Sequence, residues 1–238
     1  DYMNNSPEQL HLNIQLDSSI SLNKFINCDS TKDFLSILRN TIKDQSISRF
    51  YLIWGEKGRG KSYIMKGLHK KYLDEGKKTF HFSFKDERVT SPEILKNLDS
   101  LEAIFIEDFD SMEFSKDWER GIFNFINDCY ISGTSIYLSS NTVSKELPVN
   151  LRDLDSRISS FTAIEMPEIT EDEKIQALVQ SSKRKGFLLD DKTIQYIISY
   201  TSRSLSDLLK LLNELDSFSL KKKKKISPSL IREMIGSK

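Results

Sequence analysis

Apolar residues along this chain follow two periods, and the change from one to the other divides it. Five short runs rich in aromatic and β-branched residues read as strands: Phe50 to Trp54, Thr79 to Phe84, Leu101 to Asp108, Ser135 to Ser140 and Thr162 to Met166. Segments of helical period separate them. Lys61 to Leu73 is stopped by Gly76, Ser91 to Leu98 has Pro92 in its first turn and Ser91 as its cap, and Lys116 to Ile131 and Leu151 to Phe161 follow. Upstream, Ser30 to Lys43 predicts an amphipathic helix, capped by Ser30 or Thr31, with Phe34, Leu35, Leu38 and Ile42 on one face. Strands alternating with helices predict a parallel sheet covered on both faces. Pro167 marks a boundary. Beyond it the pattern is helical only, with segments at Glu171 to Lys185, Asp191 to Thr201, Leu205 to Phe218 and Pro228 to Ile235. Leu205, Leu208, Leu209, Leu212 and Leu215 form the apolar stripe of the third. The expected fold class is α/β, a parallel-sheet domain followed by a small all-helical domain.

The first residues follow neither plan. Leu10, Leu12, Ile14 and Leu16 alternate with Gln9, His11, Asn13 and Gln15, the period of an extended segment with one apolar face. Two readings stand from the pattern: an edge strand of the protein's own sheet, or a linear peptide whose alternate side chains fill a partner's groove.

The first strand leads into Gly55-Glu56-Lys57-Gly58-Arg59-Gly60-Lys61-Ser62 and then a helix, which is the P-loop arrangement. Gly55, Gly58 and Gly60 let main-chain N–H groups converge on phosphate oxygens. Lys61 adds a positive charge for the β and γ phosphates, Ser62 a hydroxyl for Mg²⁺, and the helix N-terminus its dipole. The strand ending in Glu107 and Asp108 is expected to run beside the P-loop strand, its carboxylates holding the metal and aligning a water. Asn141, at the C-terminal end of the fourth strand, is either a polar sensor near the γ-phosphate or a turn residue. His81 reads as a core or rim residue.

Composition narrows the partners. Of 238 residues 29% are charged, with 35 acidic against 35 basic, so no global field pulls the chain toward nucleic acid or a membrane. No apolar run spans a bilayer and the polar start is no signal peptide, so a cytoplasmic protein is expected. Cys28 and Cys129 lack metal-ligand spacing and read as reduced thiols. Lys221 to Lys225 reads as a solvated turn between the last two helices, with phosphate contact as the other reading.

A P-loop α/β domain with a helical lid is the outline of the AAA+ ATPases, and the chain resembles the Hda family, regulatory relatives of the replication initiator DnaA. The resemblance rests on QLHLNI at Gln9, the Walker A motif at Gly55, Gly60, Lys61 and Ser62, the Walker B pair Glu107 and Asp108, and the lid. It implies a clamp-binding peptide in residues 1–20, an AAA+ domain in 21–166 and a lid in 167–238. Gln9, Leu10, Leu12 and Ile14 would then enter the DNA sliding clamp, and Phe25 and Ile26 would line the adenine pocket. Asn141 falls on the first sensor, Arg157 on the arginine finger and Arg203 on the second sensor. The implied ligands are ADP or ATP with Mg²⁺, and the implied partners are the clamp, DnaA and, through the clamp, DNA, with no membrane and with homo-oligomerisation open. The implied function is stimulation of hydrolysis by DnaA, restraining replication initiation. The order Glu107-Asp108 departs from the Asp-Glu of fast AAA+ enzymes and argues against rapid turnover at the chain's own site. A self-sufficient ATPase, such as a helicase loader or clamp-loader-like subunit, is a second functional class. A DNA-tethering adaptor using the lysine run is a third.

Overall fold

A computed structural model describes Leu22, Phe25 and residues 28–43, 48–200 and 205–236. The five apolar runs form β1 (Phe50–Trp54), β2 (Thr79–Ser83), β3 (Ala103–Glu107), β4 (Ser135–Ser140) and β5 (Thr162–Glu165). All pair in parallel, in the order β2-β3-β4-β1-β5. One expectation is corrected here: the strand bearing Glu107 and Asp108 does not run beside β1. β4 lies between them, pairing with β1 on one side and β3 on the other.

Both faces of the sheet are buried, and successive residues serve opposite faces, as the pleat requires. On one face Tyr51, Ile53, Phe105 and Tyr137 pack with Phe34, Leu35 and Leu38 of α1 (Asp29–Lys43) and Ile64, Met65 and Leu68 of α2 (Lys61–Asp74). On the other, Leu52, Ile104, Ile106 and Leu138 pack with Trp118, Ile122 and Phe125 of α3 (Lys116–Ser132) and Leu154 and Ile158 of α4 (Arg152–Ser159). Gly76, at φ +75°, stops α2, its N–H bonding to the Leu73 carbonyl. The segment expected as one helix at Ser91 is instead two 3₁₀ turns, Pro92–Leu95 and Leu98–Ser100. Asn97 at φ +62° separates them, and Ser91 makes no side-chain cap bond.

The helices beyond Pro167 are α5 (Glu171–Arg184), α6 (Asp191–Tyr200), α7 (Leu205–Lys222) and α8 (Pro228–Gly236), around a core of their own. From α7 that core takes Leu208, Leu211, Leu212 and Leu215, while Leu209 turns toward Ile169, Ala177 and Cys28. Thr170 and Glu173 form a capping box that starts α5, and the same Glu173 carboxylate accepts from the Ser30 main chain and hydroxyl at 3.1 and 2.8 Å. The lid is thus tied to the start of α1. Lys221 and Lys222 are not turn residues but the last turn of α7, and Lys222 and Lys224 pair with Glu233 of α8.

Candidate functional site

The turn between β1 and α2 is built on positive φ angles, +152° at Gly55, +89° at Gly58 and +98° at Gly60. Space as well as torsion demands glycine. A Cβ at Gly55 would stand 2.9 Å from the Met166 Cβ, and one at Gly60 3.3 Å from the Phe25 ring. Phe25 is buried there and lies 5.7 Å from the Tyr63 ring. Arg59 ties the turn to the end of β5 and the segment after it: it donates to the Met166 carbonyl at 3.2 Å and pairs with Glu56, Glu165 and Glu168. The pattern of glycines did not signal that role. Ser62 is exposed in the first turn of α2.

Lys61 is buried and spends its three protons on the carbonyls of Gly55 and Glu56 and on Asn141 Oδ1, the last at 2.9 Å. Burial lowers its pKa below the ordinary lysine value, opposed first by Asp110 and then by Asp108. Asn141, half-buried in the bend after β4, thus lies against the P-loop lysine. Its main-chain N–H and side-chain Nδ2 both donate to Asp110, at 3.1 and 2.7 Å.

Glu107 and Asp108 point to different partners. Glu107 is buried, and its Oε1 lies 2.7 Å from His81 Nε2 on β2. Asp108 has φ +55°, accepts from Ser83 Oγ at 2.7 Å and pairs with Lys85. A hard cation bound among phosphates takes one or two carboxylates. Ser62 and the second oxygen of Glu107 fit that need, with His81 holding the first. His81 is indeed buried, and the His69 ring of α2 lies tilted 5.2 Å from it, pushed down to a pKa of about 4 by burial and then by His81.

Arg157 is exposed near the end of α4. Its guanidinium stands 5.8 Å from the Tyr130 ring centre, and among the described residues it has no carboxylate partner; Asp153 and Asp155 do not pair with it. Tyr130 lies 6.2 Å from Phe50, the first residue of β1, whereas the P-loop leaves the last. Arg157 therefore packs, by way of Tyr130, near the end of β1 opposite to the P-loop. The start of α4 is held by Glu119 of α3, which is buried and accepts from the N–H groups of Asn150 and Leu151 at 2.7 and 2.9 Å. Gln9, Leu10, Leu12, Ile14, Ile26 and Arg203 lie outside the described residues.

A main-chain cradle with a lysine and a helix N-terminus can hold a polyphosphate, and the acids and Asn141 surround its far end. The profile of the Hda lid domain matches residues 171–235. The family described as protein of unknown function (DUF815) matches residues 2–121, just over half of the chain. An uncharacterized protein of Haemophilus influenzae is 27% identical over 230 residues, covering 96% of this chain and 99% of its own length. Domain III of the replication initiation protein DnaA from Thermotoga maritima superimposes with a TM-score of 0.75 at 12% identity, over 93% of this chain and 97% of that one. AMPPCP-bound DnaA from Aquifex aeolicus gives 0.69 at 17% identity, over 87% of this chain and 70% of that one. The RuvB Holliday junction branch migration motor of Thermotoga maritima gives 0.65 at 18% identity, over 92% and 72%. At such identities the solved structures speak for the fold, a parallel AAA+ sheet with its helices. Among the described residues no helix is long and apolar enough to cross a membrane. The chain belongs to the family described as protein of unknown function (DUF815), with residues 171–235 similar to the Hda lid domain and a fold like that of DnaA domain III.

Proposed function

We propose that this protein is a cytoplasmic, nucleotide-binding adaptor that docks on the DNA sliding clamp and stimulates ATP hydrolysis by DnaA, restraining replication initiation. The observation that carries this reading is the place of Arg157: exposed, free of carboxylates among the described residues, and packed on Tyr130 near the end of β1 opposite to the P-loop. A guanidinium so placed can reach a phosphate on a neighbouring molecule. Arginine fingers supplied in trans raise hydrolysis by about 10³ to 10⁵. The engagement of Glu107 by His81 and of Asp108 by Ser83 and Lys85 is in keeping with slow turnover at the chain's own site.

In this reading ADP or ATP sits on the P-loop, with Phe25 and Ile26 toward the base, Lys61 and Arg203 toward the phosphates, and Ser62 and Glu107 toward Mg²⁺. Mg²⁺ would supply charge neutralisation between the phosphates. Gln9, Leu10, Leu12 and Ile14 would occupy the clamp, which brings DNA near without direct contact. The test is hydrolysis by DnaA with this protein added, with and without DNA-loaded clamp. Arg157→Ala is expected to abolish stimulation while nucleotide and clamp binding persist. Unchanged stimulation by that variant, or rapid ATP turnover by this protein alone, overturns the reading.

A further inference from the structure

Asn141 stands between two side chains that leave its amide one orientation. On one side is Asp110, in the 3₁₀ turn Phe109–Ser111 directly after β3. It offers acceptors only, Oδ1 taking the Asn141 main-chain N–H at 3.1 Å and Oδ2 taking Nδ2 at 2.7 Å. On the other side is Lys61, which offers donors only, one of them reaching Asn141 Oδ1 at 2.9 Å. A carboxylate cannot donate and an ammonium cannot accept. A flipped amide would set oxygen against oxygen at Asp110 and N–H against N–H at Lys61, so both neighbours select the same rotamer. Glu107 and Asp108 do not share this task, being engaged by His81 and by Ser83 with Lys85.

We propose that Asp110 is a positioning residue of the nucleotide site: it locks the Asn141 amide with Oδ1 toward Lys61, and through that lock fixes where the Lys61 ammonium stands. The inference rests on reading the P-loop as a nucleotide site. It adds a chemical consequence. With Nδ2 held by Asp110, Asn141 presents an acceptor to the phosphate side, so it meets a terminal phosphate through Lys61 or a water. Recognition of the third phosphate then depends on Asp110, a residue with no phosphate contact of its own.

The experiment measures binding of ADP and of AMPPCP, each with Mg²⁺, by the full chain and its variants. Asp110→Asn leaves a donor facing a donor, or forces Asn141 to flip toward Lys61. AMPPCP affinity is expected to fall roughly tenfold, the size of one charge-assisted hydrogen bond, with ADP affinity falling less than about threefold. Asn141→Asp sets two carboxylates against each other. Combining D110N with N141D rebuilds the chain of donors and acceptors in reverse: the new amide donates to the new carboxylate, whose other oxygen accepts from Lys61. In denaturant unfolding the double variant is therefore expected to lie closer to wild type than the product of the singles. Equal losses for both nucleotides in D110N, or singles that simply multiply in the double, overturn the inference while the nucleotide site stands. If D110N does not fold, the double variant must fold and bind ADP; its failure also overturns the inference. Absence of nucleotide binding by wild type refutes the P-loop reading instead, and the unfolding cycle then judges the lock alone.

Discussion

Glu119→Gln is the sharpest probe of how α4 is held. The Glu119 carboxylate is 3% exposed, has no cationic partner among the described residues, and accepts from Asn150 N, Asn150 Nδ2 and Leu151 N at 2.7, 3.2 and 2.9 Å. Leu151 precedes α4 and has no side-chain cap of its own, so Glu119 serves as the cap from another helix. Two effects oppose each other in the substitution. Removing an unpaired buried charge relieves desolvation and would stabilise the protein. Replacing one carboxylate oxygen by NH₂ sets a donor against a main-chain N–H and loses charge-assisted bonds of about 1.5–3 kcal/mol each. Three donors converge on the carboxylate and a helix N-terminus faces it, so the second effect wins, by roughly 2–4 kcal/mol. For a chain of this length that is a fall in Tm of roughly 5–15 °C. Calorimetry and urea unfolding of the isosteric variant measure it without a cavity contribution. An unchanged or raised Tm would refute the argument, because it would mean that desolvation outweighs the cap.

Two further predictions follow from neighbouring packing. The His69 pKa falls from its ordinary 6.5 to about 4, so the unfolded chain binds a proton that the folded chain refuses. Its contribution to stability is complete above about pH 6.5 and is lost as pH falls toward about 4, at up to about 1.4 kcal/mol per unit. His69→Phe should flatten that part of the acid slope in unfolding curves; parallel slopes would show that His69 carries none of it. Gly121 of α3 lies against Pro92, where a Cβ would meet the Pro92 Cβ at 2.5 Å. Gly121→Ala gains about 1 kcal/mol of helix propensity but meets a rigid ring, and overpacking costs about 1–3 kcal/mol. A net loss is expected in urea unfolding, whereas Gly236→Ala, with open space around it, should show none.

Local pattern and local chemistry are what the sequence made legible. The P-loop glycines, the alternation of strands with helices and the apolar face of α1 are all encoded within a few residues of each other, where period and residue type suffice. The insertion of β4 between β1 and β3 is not, because nothing in a strand's own residues names its neighbour. Asp110 and Glu119 escaped for the same reason. Each is an acid among many until the fold brings Asn141, or Asn150 and Leu151, against it. The lysine run at Lys221 misled because composition suggested a turn, while α7 continues into it and Glu233 pairs with two of its members. Leu211 replaced Leu209 in the lid core because residues two apart lie about 200° round the helix, so Leu209 faces Ile169 and Ala177 while Leu211 faces the other lid helices.

The strand order also sets a timetable for the growing chain. β1 pairs Phe50 with Ile136 and Tyr51 with Thr162, so both neighbours of the P-loop strand emerge long after it does. Until β4 and β5 have left the ribosome, Leu52 and Ile53 have no sheet on either edge, and Gly55 lacks the Ser140 carbonyl that its N–H bonds at 3.2 Å. Non-local pairing of this kind folds slowly and leaves apolar strand edges exposed in the interval. The P-loop is thus synthesised before both neighbours of its strand and is among the last parts of its domain to be completed. A chain truncated before Thr162 should consequently carry the full P-loop sequence without a finished cradle.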